Sequence, residues 1–346
     1  MSVTSKSPRK VLREAWKTAQ LSLPPYAHRF SPKKFTQHQL FACLVLKAHL
    51  RTDYRGITAL LADTPELCET IELRVVPHYT TLQKASRRLL TQRRVSDLLE
   101  TTVERIMRRR RRVKTAAGDS SGFESTHASR YYVWRARQRG KPKKHMTYRH
   151  FPKLGILCDT SNHAVLSAVP GVGPRPDVDE LEELLGHLTR HPTLDRMVLD
   201  AGYDSESNHR LLREDHGVRS IIPPESGRPS PYGNPPSGRY RRLMKQRFDW
   251  TTYHQRSQAE TVISMIKRNL GDWVRGRSYW SQCRELQLKV ITHNVMILYF
   301  RVFYRAPRSP LLRLGERFRG RNTQFMPACF LLGFHRLGHR RNLAWI

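Results

Sequence analysis

One stretch of the sequence, YHQRSQAETVISMIK at residues 253–267, combines an aromatic ring, a carboxylate and two cations. On a helix, at about 100° per residue, Tyr253, Arg256, Glu260 and Lys267 fall within roughly 60° of one another. A carboxylate in that position can bind a metal ion while the neighbouring cations hold phosphate. An ordinary amphipathic helix with an i,i+4 Arg–Glu pair fits the same pattern, so this window alone leaves both interpretations open.

Two further carboxylates follow segments that are typical of buried strands. We expect strands at residues 113–121 and 196–200, with Asp119 and Asp200 at their ends, where ligands gather in α/β folds. Three carboxylates brought together repel one another, and oxygen ligands of this kind favour Mg²⁺ or Mn²⁺ over zinc. Two such ions suit in-line displacement at phosphorus. Alternatively, Asp119 is a turn residue, Asp200 a helix cap and Glu260 a surface ion-pair partner.

The charge of the chain favours a polyanionic partner. Its 346 residues include 62 Lys and Arg against 29 Asp and Glu, a formal net charge of +33. Residues 1–114 carry 24 basic and 9 acidic side chains, residues 115–238 carry 16 and 15, and residues 239–346 carry 22 and 5. Because contacts between cations and phosphates release counterions, nucleic acid is the first candidate partner. Two basic arms around a nearly neutral centre indicate a catalytic core held on nucleic acid by its ends.

The central part of the chain alternates strand and helix patterns. In chain order we expect strands at 113–121, 150–158 and 164–169, a helix at 177–191, a strand at 196–200, a helix at 205–216, a strand at 218–222, a proline-rich loop at 223–237 and the helix of residues 253–267. Residues 122–148 are expected to form a polar, irregular connection or a hairpin. This order predicts an α/β fold with a sheet covered by helices.

The N-terminal part is expected to be helical. Its predicted helices span residues 35–48, 56–62, 78–90 and 96–106, with Thr36 capping the first and Thr80 or Thr81 capping the third. Arg87 and Arg88 end the third helix, which favours a small helical DNA-binding module; a helical dimerisation or packing domain is the alternative. The arginine run at residues 108–112 fits either a solvated linker or a phosphate contact.

Other features exclude some classes of protein. The five cysteines lack metal-binding spacing and read as reduced, mostly buried thiols of a cytosolic protein. Cys329, His335 and His339 would make only a partial zinc set. No apolar signal segment begins the chain, and the apolar run at residues 290–304 is short for a membrane span and reads as a buried helix.

Taken together, these motifs resemble those of the DDE insertion-sequence transposases. The signature of one group in that family is Tyr, two residues, Arg, three residues, Glu, six residues and Lys, and it matches without a gap at Tyr253, Arg256, Glu260 and Lys267. The segments LDAGYDSE (residues 199–206) and GDSSGFE (residues 118–124) resemble the second-Asp and first-Asp motifs. The resemblance spans roughly residues 35–300.

The resemblance implies a ribonuclease-H-like core in which Asp119, Asp200 and Glu260 bind Mg²⁺ or Mn²⁺, as two ions. It further implies that Arg256 and Lys267 hold DNA phosphate or orient Glu260. Tyr253 would contact the DNA near the cleaved end. Members of the wider group often carry a large β-rich insertion before the Glu helix, and residues 223–250 are too few for one.

The resulting hypothesis is a DNA transposase that cleaves and joins strands at the ends of an insertion element. The alternatives are a metal-dependent DNA nuclease without strand transfer and an inactive DNA-binding derivative. We expect a helical, basic DNA-binding region at residues 1–112, the catalytic core at 113–300 and a basic tail at 301–346. The expected partners are double-stranded DNA (terminal inverted repeats and target) and a second copy of the chain, in the cytoplasm and on the nucleoid, with no membrane.

Overall fold

Among the residues that the structure describes, five strands form one mixed sheet. They are β1 (Ala116–Gly122), β2 (Phe151–Asp159), β3 (Val165–Gly173), β4 (Arg196–Val198) and β5 (Arg219–Ile221), in the order β3-β2-β1-β4-β5. β1, β2 and β3 pair antiparallel, whereas β4 and β5 run parallel to β1. Helices cover the sheet, so eight of the nine residues of β2 are buried. This arrangement confirms the predicted ribonuclease-H-like α/β class.

The structure, a computed structural model, describes residues 4–108, 112–125, 151–188, 193–224, 236 and 238–304, with side chains only as far as residue 298. Predictions for residues 126–150, the middle of the 108–112 arginine run, most of the proline-rich loop, the tail from residue 305 and the partial zinc set lie outside the described residues. Residues up to Tyr304 belong to one compact unit.

Six helices precede the sheet in the part of the chain that the structure describes. They are α1 (Pro8–Ser22), α2 (Gln37–His49), α3 (Tyr54–Asp63), α4 (Pro65–Thr70), α5 (Tyr79–Leu89) and α6 (Gln92–Met107). The predicted cap at Thr36 is confirmed: its side chain and that of Gln39 bond reciprocally to each other's backbone N–H. The predicted cap at Thr80 or Thr81 is wrong, because α5 begins one residue after His78.

Within the described ranges after β3, six helices occur. They are α7 (Leu181–Gly186), α8 (Glu206–Arg210), α9 (Arg239–Gln246), α10 (Trp250–Tyr253), α11 (Ser257–Leu270) and α12 (Tyr279–Tyr304). Short 3₁₀ turns at Asp177–Glu180, Ala201–Tyr203 and His254–Arg256 and a π-helical turn at Leu211–Asp215 accompany them. The expected long helix at residues 177–191 is therefore a 3₁₀ turn and a short helix, followed by residues outside the described ranges.

The last helix, α12, holds the N-terminal helices and the sheet together. Its described side chains from Val290 onwards are buried, as the sequence predicted. Asn294 is fully buried, and its amide NH₂ donates to Thr102 of α6 (3.0 Å) and to the Val165 carbonyl of β3 (2.8 Å). Its amide oxygen accepts from the Val165 N–H at 2.9 Å. No helix in the described part of the chain is long and apolar enough to cross a membrane.

The cysteines of the described residues form no disulfide. Cys43, Cys68, Cys158 and Cys283 are free and buried, in agreement with the prediction of reduced structural thiols.

Two short strand pairings lie outside the five-stranded sheet. They are parallel, two residues long, and join Arg112–Val113 to Thr193–Leu194 and Glu124–Ser125 to Trp273–Val274. The second of these fixes the end of α11 beside the segment that follows β1.

Candidate active site

Asp119 lies in the middle of β1, opposite Ile156 of β2, and not at a strand end as predicted. The strand continues to Gly122 because its pairing with β2 runs as far as Lys153. One carboxylate oxygen of Asp119 accepts the backbone N–H of Ser120 at 2.9 Å. Burial raises the pKa of Asp119 to about 6, and repulsion by Glu260 and Asp200 adds to this against the lowering effects of Ser120 and Arg256.

Asp200 comes two residues after the end of β4, at the same height along the sheet as Asp119. Ala117 of β1 pairs in parallel with Val198 of β4, and each aspartate comes two residues after its paired residue. The two carboxylates therefore leave neighbouring strands at the same height. Asp200 also caps the short 3₁₀ turn that follows it, since its side chain accepts the Ala201 N–H at 2.8 Å. Capping and a role in the site are thus compatible.

Glu260 reaches the same place from α11. The apolar face of this helix is buried, with Ala259, Val262, Ile263, Ile266 and Leu270 in the core, as its periodicity predicted. The side chain of Glu260 is 52% exposed and lies at the edge of that face. The helix begins only at Ser257, however, so the prediction of one continuous helix over residues 253–267 is wrong.

Arg256 lies between two of the three carboxylates. Its Nη2 is 2.6 Å from Oε1 of Glu260, and its Nη1 is 3.9 Å from Oδ2 of Asp200. Burial alone would lower the pKa of Arg256, but Asp200 and Glu260 together raise it above its ordinary value. The guanidinium is therefore a permanent positive charge that offsets the repulsion among the acids.

Tyr253 closes the last turn of α10, one turn before Glu260's helix. Its ring packs edge-on against Phe248 (5.1 Å between centroids) and Trp250 (5.9 Å). Burial raises the pKa of the Tyr253 hydroxyl, with Arg256 lowering it and Asp200 raising it. Trp250 is 60% exposed, so this aromatic cluster forms a surface beside the acids.

Lys267 lies further along α11 and contacts a different part of the site. Its ammonium donates to Oγ of Ser121 at 2.8 Å and lies 5.1 Å from the centre of the Phe123 ring. Both contacts are with residues just beyond Asp119 in the chain. Among the described residues it makes no ion pair with Glu260, so its charge is available to a ligand that approaches β1.

Arg87 and Arg88 stand apart from this site. Both are exposed in the last turn of α5, and within the described ranges neither forms an ion pair with the three acids. The structure brings together Asp119, Asp200, Glu260 and Arg256, with Tyr253 and Lys267 beside them. Arg87 and Arg88 of α5 are not part of this group.

The donor set suits a hard divalent cation, although the acids do not converge on one point. Within the described part of the chain, no group of three or more His, Cys, Asp or Glu side chains is close enough to hold an ion. The carboxylates nevertheless interact electrostatically, and a guanidinium already supplies counter-charge between Asp200 and Glu260. Oxygen-only ligands with excess negative charge fit Mg²⁺ or Mn²⁺ in chemistry.

A second charged cluster, which the sequence did not reveal, contacts Ser120, the residue after Asp119. Lys153 of β2 is 6% exposed, and its ammonium contacts Asp177 and, at 2.7 Å, Glu180. Asp177 also accepts the hydroxyl of Ser120 at 2.7 Å. A hydrogen-bonded path therefore runs from a buried lysine to the residue next to Asp119.

Tyr203 lies between the two clusters. It is fully buried, its hydroxyl has no partner among the described residues, and burial raises its pKa well above the ordinary value. Asp177, Glu180, Asp119 and Asp200 all raise it further, which shows how closely the acids surround this ring. The position of this tyrosine three residues after Asp200 is the sequence signal that could have identified it.

The rest of the segment after Asp200 is structural. Asp204 forms a two-point ion pair with Arg241 of α9, with its Oδ2 at 2.9 and 2.7 Å from the guanidinium nitrogens. The carboxylate of Glu206 accepts backbone N–H groups at the start of α9, from Arg239 and Tyr240, and so caps that helix. These contacts anchor α9, which immediately precedes the Tyr253 and Glu260 segment.

Comparison with known proteins identifies the family. One solved structure, entitled "Crystal structure of a pre-cleavage Mos1 transpososome", is 13% identical and aligns over 80% of this chain and 82% of that chain, with a TM-score of 0.20. A TM-score that low does not establish a shared fold. Residues 114–295, more than half of the chain, match the family described as "Transposase DDE domain". The chain therefore belongs to the DDE transposase family.

Proposed function

We propose that the protein is a DNA transposase that cleaves DNA and transfers strands at the ends of an insertion element. Asp119, Asp200 and Glu260 are its catalytic acids. The observation that carries the proposal is the parallel register of β1 and β4, which sets the two aspartates level, with Arg256 linking Asp200 to Glu260. Family membership supports phosphoryl transfer on nucleic acid as the chemistry.

The three acids would hold two Mg²⁺ or Mn²⁺ ions. Such ions, when bound, lower the pKa of water and offset charge on the attacking and leaving oxygens of an in-line displacement. The protein's own residues carry out the rest. β1 and β4 fix two acids on rigid elements, and α11 presents the third at the edge of a buried face.

The cations around the acids would hold the DNA backbone. The ammonium of Lys267 donates to the Ser121 hydroxyl and lies over the Phe123 ring beside β1, so it can exchange the serine contact for a phosphate oxygen. Arg256 orients Glu260 through their 2.6 Å contact and can contact phosphate as well. The aromatic surface of Tyr253 and Trp250 would stack on DNA near the cleaved end. The spacing of Tyr253, Arg256, Glu260 and Lys267 supports the proposal that the protein belongs to the Tyr-Arg-Glu-Lys group of the family.

The full reaction requires two element ends to be held together, so we propose that a homodimer binds the terminal inverted repeats and the target. The basic residues 1–114 and 239–346 supply the positive surface for both. Arg87 and Arg88, exposed at the end of α5, belong to this surface. Such a protein would lie on the nucleoid in the cytoplasm.

The test is neutralisation of each acid in turn. Asp119→Asn, Asp200→Asn and Glu260→Gln should leave duplex binding nearly intact and abolish cleavage, whereas Asp215→Asn, which removes an exposed carboxylate outside the site, should cut normally. Cleavage is read on labelled duplexes ending in the repeats that flank the coding region. Normal cutting by any one of the three site variants would remove that acid from the triad.

A strand-transfer assay separates the competing functions. A transposase should join the cleaved end to a target duplex, whereas a nuclease would cut without joining. A wild-type protein that binds DNA but cuts nothing in Mg²⁺ or Mn²⁺ would be an inactive DNA-binding derivative.

A further inference from the structure

A fourth carboxylate, Asp177, lies between the segments that carry Asp119 and Asp200. It begins the 3₁₀ turn Asp177–Glu180, which packs against the turn Ala201–Tyr203 that follows Asp200. Its side chain is 29% exposed, so it is neither a surface charge nor a fully buried one. The proposed cleavage chemistry does not use this acid directly.

One oxygen of Asp177 is bound to the strand of Asp119. Its Oδ1 accepts the hydroxyl of Ser120 at 2.7 Å. The backbone N–H of the same serine donates to Oδ1 of Asp119 at 2.9 Å. Ser120 therefore links the two carboxylates, because its side chain binds Asp177 and its main chain binds Asp119.

The other oxygen of Asp177 lies against the turn that follows Asp200. A Cβ added at Gly202 would lie 3.3 Å from Oδ2 of Asp177, which is tighter than an ordinary van der Waals contact. The glycine therefore lets the carboxylate approach this turn closely. Asp177 thus contacts the segments of both aspartates.

A buried amide also joins the two turns. Asn208 of α8 is 6% exposed, and its side-chain NH₂ donates to the carbonyl of Val178 at 3.2 Å and to that of Tyr203 at 2.9 Å. Separating the turns would leave these buried N–H groups without acceptors, which is costly. The frame around Asp177 is therefore held without the help of its own side chain.

A buried cation offsets the charge of Asp177. The ammonium of Lys153 contacts the same Oδ1 and, at 2.7 Å, Oε1 of Glu180. It also donates to the carbonyl of Arg175 at 2.6 Å. Additional negative charge near Asp119 would add to the repulsion among the acids, and this ammonium supplies the counter-charge.

We propose that Asp177 is a positioning residue of the reaction: through Ser120 it sets where the carboxylate of Asp119 lies relative to Asp200. The inference rests on the proposed function, since those two acids must be catalytic for their spacing to matter. Reacting groups need to be held within about 0.5 Å of the productive geometry. The Ser120 N–H can orient Asp119 to that extent because Asp177 restrains the serine at its other end.

The first test is a double-mutant cycle. Ser120→Ala and Asp177→Ala each break the hydroxyl link, and each should slow cleavage at saturating DNA and Mg²⁺ about tenfold, as for one lost hydrogen bond to a charged group. The double variant should be no slower than the single ones, because both changes break the same link; independent effects would multiply to about 100-fold. Ser96→Ala, which removes a hydroxyl bonded to the Gln92 carbonyl in α6, is the control and should cut normally.

The second test separates positioning from folding. Asp177→Asn keeps an oxygen that can accept the Ser120 hydroxyl, so it should restore cleavage to within about threefold of wild type. Both alanine variants should also bind Mn²⁺ several-fold more weakly in the absence of DNA, measured from the EPR signal of the free ion, whereas Ser96→Ala should not. Duplex affinity should stay unchanged in all variants, and urea unfolding checks that each one is folded.

The Asp119→Asn protein, assayed on the same duplex, separates this inference from the catalytic proposal. Normal cutting and normal Mn²⁺ binding by both alanine variants, with cutting lost in Asp119→Asn, would overturn the positioning role and leave the triad in place. A double variant about 100-fold slower than wild type would also overturn it, because the two residues would then act independently. Normal cutting by Asp119→Asn would remove Asp119 from the triad, and the positioning role with it.

Discussion

Replacing Lys153 should be among the most destabilising single changes in the sheet. Its ammonium is buried and contacts Asp177, Glu180 at 2.7 Å and the Arg175 carbonyl at 2.6 Å. Lys153→Met would leave the carboxylate of Glu180, which is 4% exposed, charged and unpaired. Breaking a buried pair in this way costs about 3–5 kcal/mol of unfolding free energy.

Neutralising the acid of this pair, Glu180, should cost little unfolding free energy. Burial raises the pKa of Glu180 even though Lys153 lowers it, so the ionised form of this acid is held at a cost. One of its oxygens has no hydrogen-bond partner among the described residues. Glu180→Gln removes that burden while Lys153 keeps its contacts with Asp177, and we expect a loss below about 1 kcal/mol. The double variant should lose less than the Lys153→Met protein because the buried charge is gone.

Urea unfolding at neutral pH measures these values, with an unchanged m-value as evidence that only stability differs. Arg175→Gln is the control, since it breaks an exposed pair with Glu183 at 3.5 Å that should contribute less than about 1 kcal/mol. A Lys153→Met loss no larger than this control, or a Glu180→Gln loss equal to that of Lys153→Met, would refute the reasoning.

Two more predictions concern stability. Burial lowers the pKa of His293 to about 4 from its ordinary 6.5, so the unfolded chain binds the extra proton between these values. Stability should then fall as pH drops from 6.5 to 4, by up to about 3 kcal/mol in urea titrations, and His293→Leu should reduce that dependence. Gly238 has a φ of +102°, and a Cβ there would clash with Oε2 of Glu206. Gly238→Ala should cost about 2 kcal/mol or more. Gly217→Ala, at φ +65° with open space, should cost less; equal losses would show that the Glu206 contact is unimportant.

The placement of Asp119 and Asp200 on neighbouring parts of the sheet was predictable, because each follows a short apolar segment with a strand pattern. The position of Asp119 within its strand was not, because AAGDSSG has no apolar alternation after Ala117 and only the pairing with β2 shows where β1 stops. The i,i+4 spacing correctly predicted that Arg256 lies beside Glu260, because that contact persists although Arg256 ends a 3₁₀ turn and Glu260 lies in the α-helix that follows.

Other features had local signals that were missed. The Asp249 side chain caps α10 by accepting the Thr252 N–H at 3.0 Å, so the sequence DWTT marks a helix start before the 253–267 window. Pro8 is another such signal, since it begins α1 and proline is favoured in the first turn of a helix. The Lys153 cluster had no local sequence signal, because it joins residues from distant segments whose charges would each be expected on the surface.

The hydrogen bonds of Asn294 bear on how the protein unfolds. Its side-chain amide forms hydrogen bonds with α6 and with β3, and its backbone belongs to α12. A chain cut after residue 112 would separate this amide from Thr102 and leave one of its N–H groups without that acceptor in a dry interior. The N-terminal helices and the sheet should therefore melt in one transition, and neither half should survive alone as a soluble fragment.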